Sequence, residues 1–135
     1  MALITWSDKL SVGVKTIDDQ HIILIDTVNE LHAAMMKGQA RAILGNLLCT
    51  LVVYTRNHFA AEEAMMETAK YPGLPVHRTQ HRELTRQVEE YVDRFQKGDL
   101  TISSHLAHFL SDWLTRHIQD TDKQYGPCLI ESGVS

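Results

Sequence analysis

The stretch PGLPVHRTQHRELTRQVEEYVDRF, residues 72–95, decides the fold. Two prolines and a glycine break the chain at its start, and no further breaker follows until Gly98. In between, His77, His81, Leu84, Val88, Tyr91 and Phe95 recur at steps of 4, 3, 4, 3, 4. Alternating threes and fours, at 3.6 residues per turn, mark the inward stripe of a helix packed in a bundle. The first two members of this stripe are imidazoles rather than apolar groups.

The same period runs outward through the chain. Ile17, His21, Leu24, Val28, Leu31 and Met35 form one stripe. Leu44, Leu47, Leu51, Tyr54, His58, Glu62 and Met65 form a second, and Ile102, Leu106, Leu110, Trp113 and His117 a fourth. Breakers separate them at Lys37-Gly38-Gln39, Tyr71-Pro72-Gly73-Leu74-Pro75 and Lys97-Gly98-Asp99. No internal repeat occurs. Four long helices with short connections predict an all-α, up-down-up-down antiparallel bundle. The 135 residues read as one domain, with an irregular arm over about 1–15, the bundle over about 16–122 and a tail over about 123–135.

Composition narrows the function. Apolar residues at 44% and charged residues at 22% fit a globular chain. A net charge of −4 argues against nucleic acid or an anionic membrane surface as partner. No apolar run approaches the ~18–20 residues of a membrane span. The start, Met1-Ala2-Leu3-Ile4-Thr5-Trp6, lacks the basic segment and apolar core of a secretory leader. Cys49 and Cys128 are far apart and form neither a disulfide framework nor a thiolate zinc site, so a reducing, cytoplasmic compartment is expected. Eight histidines are the one excess.

Those histidines cluster by height. In an antiparallel bundle the starts of helices one and three meet the ends of helices two and four. His21 and the pair His77/His81 sit at starts; His58/Glu62, His117 and Asp122 sit at ends. Residues at i and i+4 share a face, so each pair can point at one object. Five imidazoles and two carboxylates buried together are costly unless something satisfies them, and metal ions do. Seven donors are too many for one first-row ion but suit two. With both carboxylates and a solvent oxygen bridging, one octahedral position stays open for a small ligand. Imidazole and carboxylate without thiolate favour iron, with Mn, Co and Zn as alternatives. His117 and Asp122 are five apart, about 140° round an ideal helix, so the helix must end or loosen into a π-turn to bring Asp122 inward. Asp120 is the competing carboxylate. His32, His105 and His108 lie off the stripe or at the far end and read as surface or partly buried residues, and the methionines read as packing.

At these residues the sequence resembles the hemerythrin family in its single-domain bacterial form. The matching elements are Trp6, Ile17-Asp18-Asp19-Gln20-His21, His58-x-x-x-Glu62, His77-x-x-x-His81, His117-x-x-x-x-Asp122 and Tyr125. The resemblance spans essentially the whole chain and selects Asp122 over Asp120. It implies two irons. His77, His81 and His117 would bind one, and His21 and His58 the other, which keeps the open position. Glu62, Asp122 and an oxo or hydroxo group would bridge them. It implies reversible O2 binding for transport, storage or delivery rather than enzymatic turnover. Leu24, Phe59, Trp113, Leu114 and Ile118, apolar neighbours of the ligands, would wall a dry O2 pocket.

Rival uses of such a site are O2 or redox sensing through a transient protein client, a di-iron peroxidase or NO-handling oxidoreductase, and iron buffering. The single domain leaves no room for an output module, no internal redox partner is apparent, and one closed ligand set does not suit bulk storage. A dimetal hydrolase would need a separate base beside the open site, and none is apparent. A monomer is expected, because nothing in the sequence specifies a subunit interface.

Overall fold

The computed structural model describes residues 3–38, 41–98 and 102–133, with side chains from His105 onward in the last segment. Gln39 and Asp99, in two predicted breaks, Met1 and Ala2 of the arm, and the Ile102 side chain lie outside the described residues. A 3₁₀ turn at Asp8–Leu10 precedes α1 (Lys15–Met36), α2 (Arg41–Thr68), α3 (Leu74–Gln96) and α4 (Ile102–Arg116). A π-helical stretch, His117–Asp122, then leads into α5 (Lys123–Glu131). Among the described residues there is no strand. Each long helix packs on its sequence neighbour and α4 closes against α1, which completes a four-helix bundle.

The breakers act where the sequence places them. Gly38 and Gly98 follow the ends of α1 and α3 with φ of +65° and +105°, the left-handed turn that glycine adopts without penalty. Pro75 falls inside the first turn of α3 rather than in the break. A proline is harmless there, because the first N–H groups of a helix have no intrahelical partner. The arm is tied down by side chains. Asn29 Oδ1 accepts from the Leu3 and Ile4 N–H groups at 3.0 and 3.2 Å, and Asp18 accepts from Ser11 Oγ and the Val12 N–H.

Core packing corrects all four stripes: in α1 and α3 the predicted Met35 and Tyr91 are half-buried, and Ala34 is buried in place of Met35. In α2 the inward residues are Leu44, Leu48, Leu51, Thr55, His58, Glu62 and Met66, while Leu47, Tyr54 and Met65 are half-buried. An apolar-only reading prefers Tyr54 to Thr55, yet Leu48, Leu51 and Met66 set the helix rotation and turn Thr55 inward. In α4, Leu114 takes the buried position and Trp113 lies at its edge.

Residues 123–131, read from sequence as part of a tail, are helical and buried at Tyr125, Gly126 and Leu129. Gly126-Pro127 suggests a terminator, but Gly126 is needed for contact: a Cβ there would stand 2.2 Å from the Val12 carbonyl oxygen. Pro127 keeps helical φ and leaves the Lys123 carbonyl without its usual partner. The arm and α5 thus close on each other beside the bundle end where the histidines lie.

Candidate metal centre

All seven predicted ligands meet at one end of the bundle, and none is more than 7% exposed. α1 supplies His21, α2 supplies His58 and Glu62, α3 supplies His77 and His81, and the π-stretch supplies His117 and Asp122. The π-stretch resolves the five-residue spacing. The Lys123 N–H bonds to the Ile118 carbonyl, one residue further back than an α-helix allows. That widened turn brings Asp122 to 1% exposure and leaves Asp120 in solvent.

The donors form two groups, His77/His81/His117/Asp122 and His21/His58/Glu62, with the ligand atoms of each within 4.8 Å of one another. Both carboxylates touch both groups. Glu62 Oε1 lies 3.1 Å from His58 Nε2 and 3.4 Å from His81 Nε2, and its Oε2 lies 3.4 Å from His21 Nε2. Asp122 Oδ1 is 2.9 Å from Nε2 of both His77 and His117, and its Oδ2 is 3.2 Å from His21 Nε2.

These atoms are close without being satisfied. Seven buried side-chain atoms lack a hydrogen-bond partner among the described residues, and five belong here: His21 Nδ1 and Nε2, Glu62 Oε1, His81 Nε2 and Asp122 Oδ1. Buried polar atoms are rarely left unpaired, and imidazole and carboxylate atoms gathered this closely with several still unpartnered are suited to an ion. The donor chemistry, five imidazoles and two carboxylates with no thiol, fits a pair of iron ions. Cys49 is exposed and Cys128 bonds the Ala69 carbonyl, so neither contributes.

The surroundings fix which nitrogen is offered. His58 Nδ1 lies 2.6 Å from Gln20 Oε1, and His81 Nδ1 lies 2.9 Å from Glu63 Oε2. An amide carbonyl and a carboxylate can only accept, so each Nδ1 carries the proton and donates it, and each Nε2 is bare toward the centre. The buried Tyr125 phenol donates to Glu62 Oε2. Gln20 and Glu63 escape stripe reasoning because each sits one residue before or after a ligand and reaches the ligand of the next helix. Adjacency to a ligand is the signal that could have found them.

Charge couples the cluster. Burial would lower the His21 pKa, but the carboxylates of Asp122 and Glu62 outweigh it and push it up to about 10. Burial would raise Glu62, yet the charge of His58 and the imidazoles of His21, His58 and His81 hold it well below the usual carboxylate range. Asp122 is likewise held low by His117, His21 and His77, against burial and the charge of Glu62. Burial, with the charges of Glu62 and Asp122, pushes the Tyr125 phenol far up and keeps it protonated.

Of the predicted pocket residues, Leu24, Leu114 and Ile118 are buried beside ligands on their own helices. Phe59 stacks on His81 at 3.8 Å and Trp113 on His117 at 4.1 Å, so both lie against the three-histidine group. Trp113 also borders a surface groove of about 430 Å³ shared with Gln80, Phe109 and His117. His32 is half-buried against the exposed His108, and His105 is exposed, all outside the cluster.

The family model described as the hemerythrin HHE cation binding domain matches residues 12–129. The chain is 42% identical over 125 residues to a bacteriohemerythrin of Stenotrophomonas maltophilia, covering 93% of this chain and 80% of that one. It is 35% identical over 130 residues to a bacteriohemerythrin of Methylococcus capsulatus, covering 96% and 98%. A crystal structure of wild-type hemerythrin superposes with a TM-score of 0.89 at 34% identity, covering 95% of this chain and 98% of the other.

Proposed function

The chain belongs to the hemerythrin family, and on that premise we propose that His21, His58, Glu62, His77, His81, His117 and Asp122 hold two irons at which it binds O2 reversibly, as a carrier or store. One observation carries this reading: each buried carboxylate touches imidazoles of both groups, which is the placement required of a bridge between two ions. When bound, the ion pair supplies reversible electron donation to a diatomic ligand at an open coordination position.

The chain's own residues do the rest. Glu62 and Asp122 hold the two groups together, and the Tyr125 phenol steadies Glu62 by donating one hydrogen bond to its Oε2. Gln20 and Glu63 keep the His58 and His81 rings in the orientation that presents Nε2. Leu24, Phe59, Trp113, Leu114 and Ile118 would form the apolar wall of the pocket, with Phe59 stacked on His81 and Trp113 on His117. All seven donors come from one chain, so a monomer completes the site. Among the described residues no helix is long and apolar enough to cross a membrane. Both cysteines are free, which supports a reducing, cytoplasmic setting.

The test is the visible spectrum of the iron-loaded, reduced protein as O2 is admitted and withdrawn. A band that appears, vanishes and returns over several cycles is expected. A one-way passage to a stable oxidised spectrum would favour oxidase or peroxidase chemistry and overturn carriage. No band at all from the iron-loaded protein would show that O2 does not bind there and would overturn the reading.

A further inference from the structure

The supports behind the two groups differ in charge. His58, in the two-histidine group, donates its Nδ1 proton to the neutral amide of Gln20 at 2.6 Å. His81, in the three-histidine group, donates to the carboxylate of Glu63 at 2.9 Å. A dipole and a full negative charge act unequally on an imidazole. A carboxylate on Nδ1–H draws the ring toward imidazolate character and makes Nε2 the stronger donor. Phe59, stacked on His81 at 3.8 Å with planes 2° apart, covers one face of that ring, while Glu63, Phe59 and His81 border a surface groove of about 350 Å³.

Glu63 is also held in place. Its second oxygen accepts from Arg78 Nε at 3.2 Å, and Arg78 reaches Glu67 at 3.3 Å. The file His81–Glu63–Arg78–Glu67 runs from the buried centre to the surface. Arg78 partly neutralises Glu63 and thereby limits how much charge His81 receives.

We propose that Glu63 makes the chain's hold on its two ions unequal, its charge tightening the three-histidine group while Gln20 gives the two-histidine group no such help. Glu63 is here a positioning and tuning residue, and the inference rests on the two-iron reading above. The neutral–anionic pairing is built from residues that touch neither ion: one residue before His21 and one after Glu62, each reaching across to the next helix.

The test is chelator competition on the full-length, iron-loaded protein, read as two stepwise affinities, together with the midpoint potential of each ion. Glu63→Gln keeps an acceptor for His81 and removes the charge. It is expected to weaken the tighter ion by about 10–100-fold, leave the weaker one unchanged and raise the potential of the affected ion. Gln20→Glu is expected to tighten the other ion. Arg78→Gln, remote from both ions, should tighten the three-histidine ion by freeing the full charge of Glu63, and it keeps the idea testable if Glu63→Gln does not fold. Unchanged affinities in Glu63→Gln, equal weakening of both ions, or weakening in Arg78→Gln would each overturn the proposal. A wild-type chain that holds fewer than two irons would instead overturn the two-iron reading.

Discussion

Withdrawing the metal should cost this chain most of its stability. Five buried atoms of the cluster have no hydrogen-bond partner, and two carboxylates and five imidazoles are fixed within one end of the bundle. An unsatisfied buried polar atom costs about 1–3 kcal/mol, so five cost on the order of 5–15 kcal/mol. That equals the whole stability of an ordinary domain, about 5–15 kcal/mol. Proton uptake by His21, whose pKa rises to about 10 between Glu62 and Asp122, offsets only part of this. Imidazole contacts at 3.1 Å to Glu62 Oε1 and 2.9 Å to Asp122 Oδ1 answer part of the rest, which puts the loss at the lower end of that range. The metal-free chain is therefore expected to unfold at much lower urea than the loaded chain, and its near-ultraviolet signal from Trp113, stacked on His117, should be lost first. Urea titrations of both forms, followed by far- and near-ultraviolet circular dichroism, measure this. Equal midpoints and an unchanged Trp113 signal would refute the reasoning, because the protein alone would then satisfy these groups.

Other substitutions test the frame around the site. Gly126→Ala, whose Cβ would meet the Val12 carbonyl oxygen at 2.2 Å, should destabilise by about 1–3 kcal/mol or more in thermal unfolding. Gly45→Ala should do the reverse: its Cβ meets Phe95 at an ordinary 3.6 Å, and replacing a mid-helix glycine gains about 0.5–1 kcal/mol, seen as a melting point raised by roughly 2–4 °C. Tyr125→Phe removes a buried hydrogen bond to a charged acceptor, so a loss of about 1.5–3 kcal/mol, or roughly 5–10 °C, is expected. Metal binding should release the proton that His21 holds at neutral pH. Affinity measured by chelator competition should thus rise about tenfold per pH unit for that proton up to about pH 10 and fall on acidification, and a pH-independent affinity would contradict the raised His21 pKa.

Much of this was legible in the sequence because bundle geometry converts spacing into position. Once His77 and His81 join the stripe of Leu84 and Val88, the antiparallel order forces His21, His58 and His117 to the same height, and they are found there. What the stripe could not convey was rotation finer than a residue and anything off the inward line. Polarity alone favours Tyr54 over Thr55, although the helix rotation turns Thr55 inward. Gln20 and Glu63 flank ligands, point sideways, and gain meaning only when the neighbouring helix is placed at its true angle. The end of the bundle shows the same limit differently. The spacing of His117 and Asp122 is a mismatch with 3.6 residues per turn, and a mismatch states that the helix must deform without saying how. The chain resolves it with one widened turn and then continues into α5, where Gly126-Pro127 looks like a stop. Both features serve one requirement. The π-turn brings Asp122 to the imidazoles of His21, His77 and His117, and the close contact of Gly126 with Val12 lets α5 lie tight enough for Tyr125 to reach Glu62. The segment that follows His117 stays helical and so holds both buried carboxylates from one end, Asp122 directly and Glu62 through Tyr125.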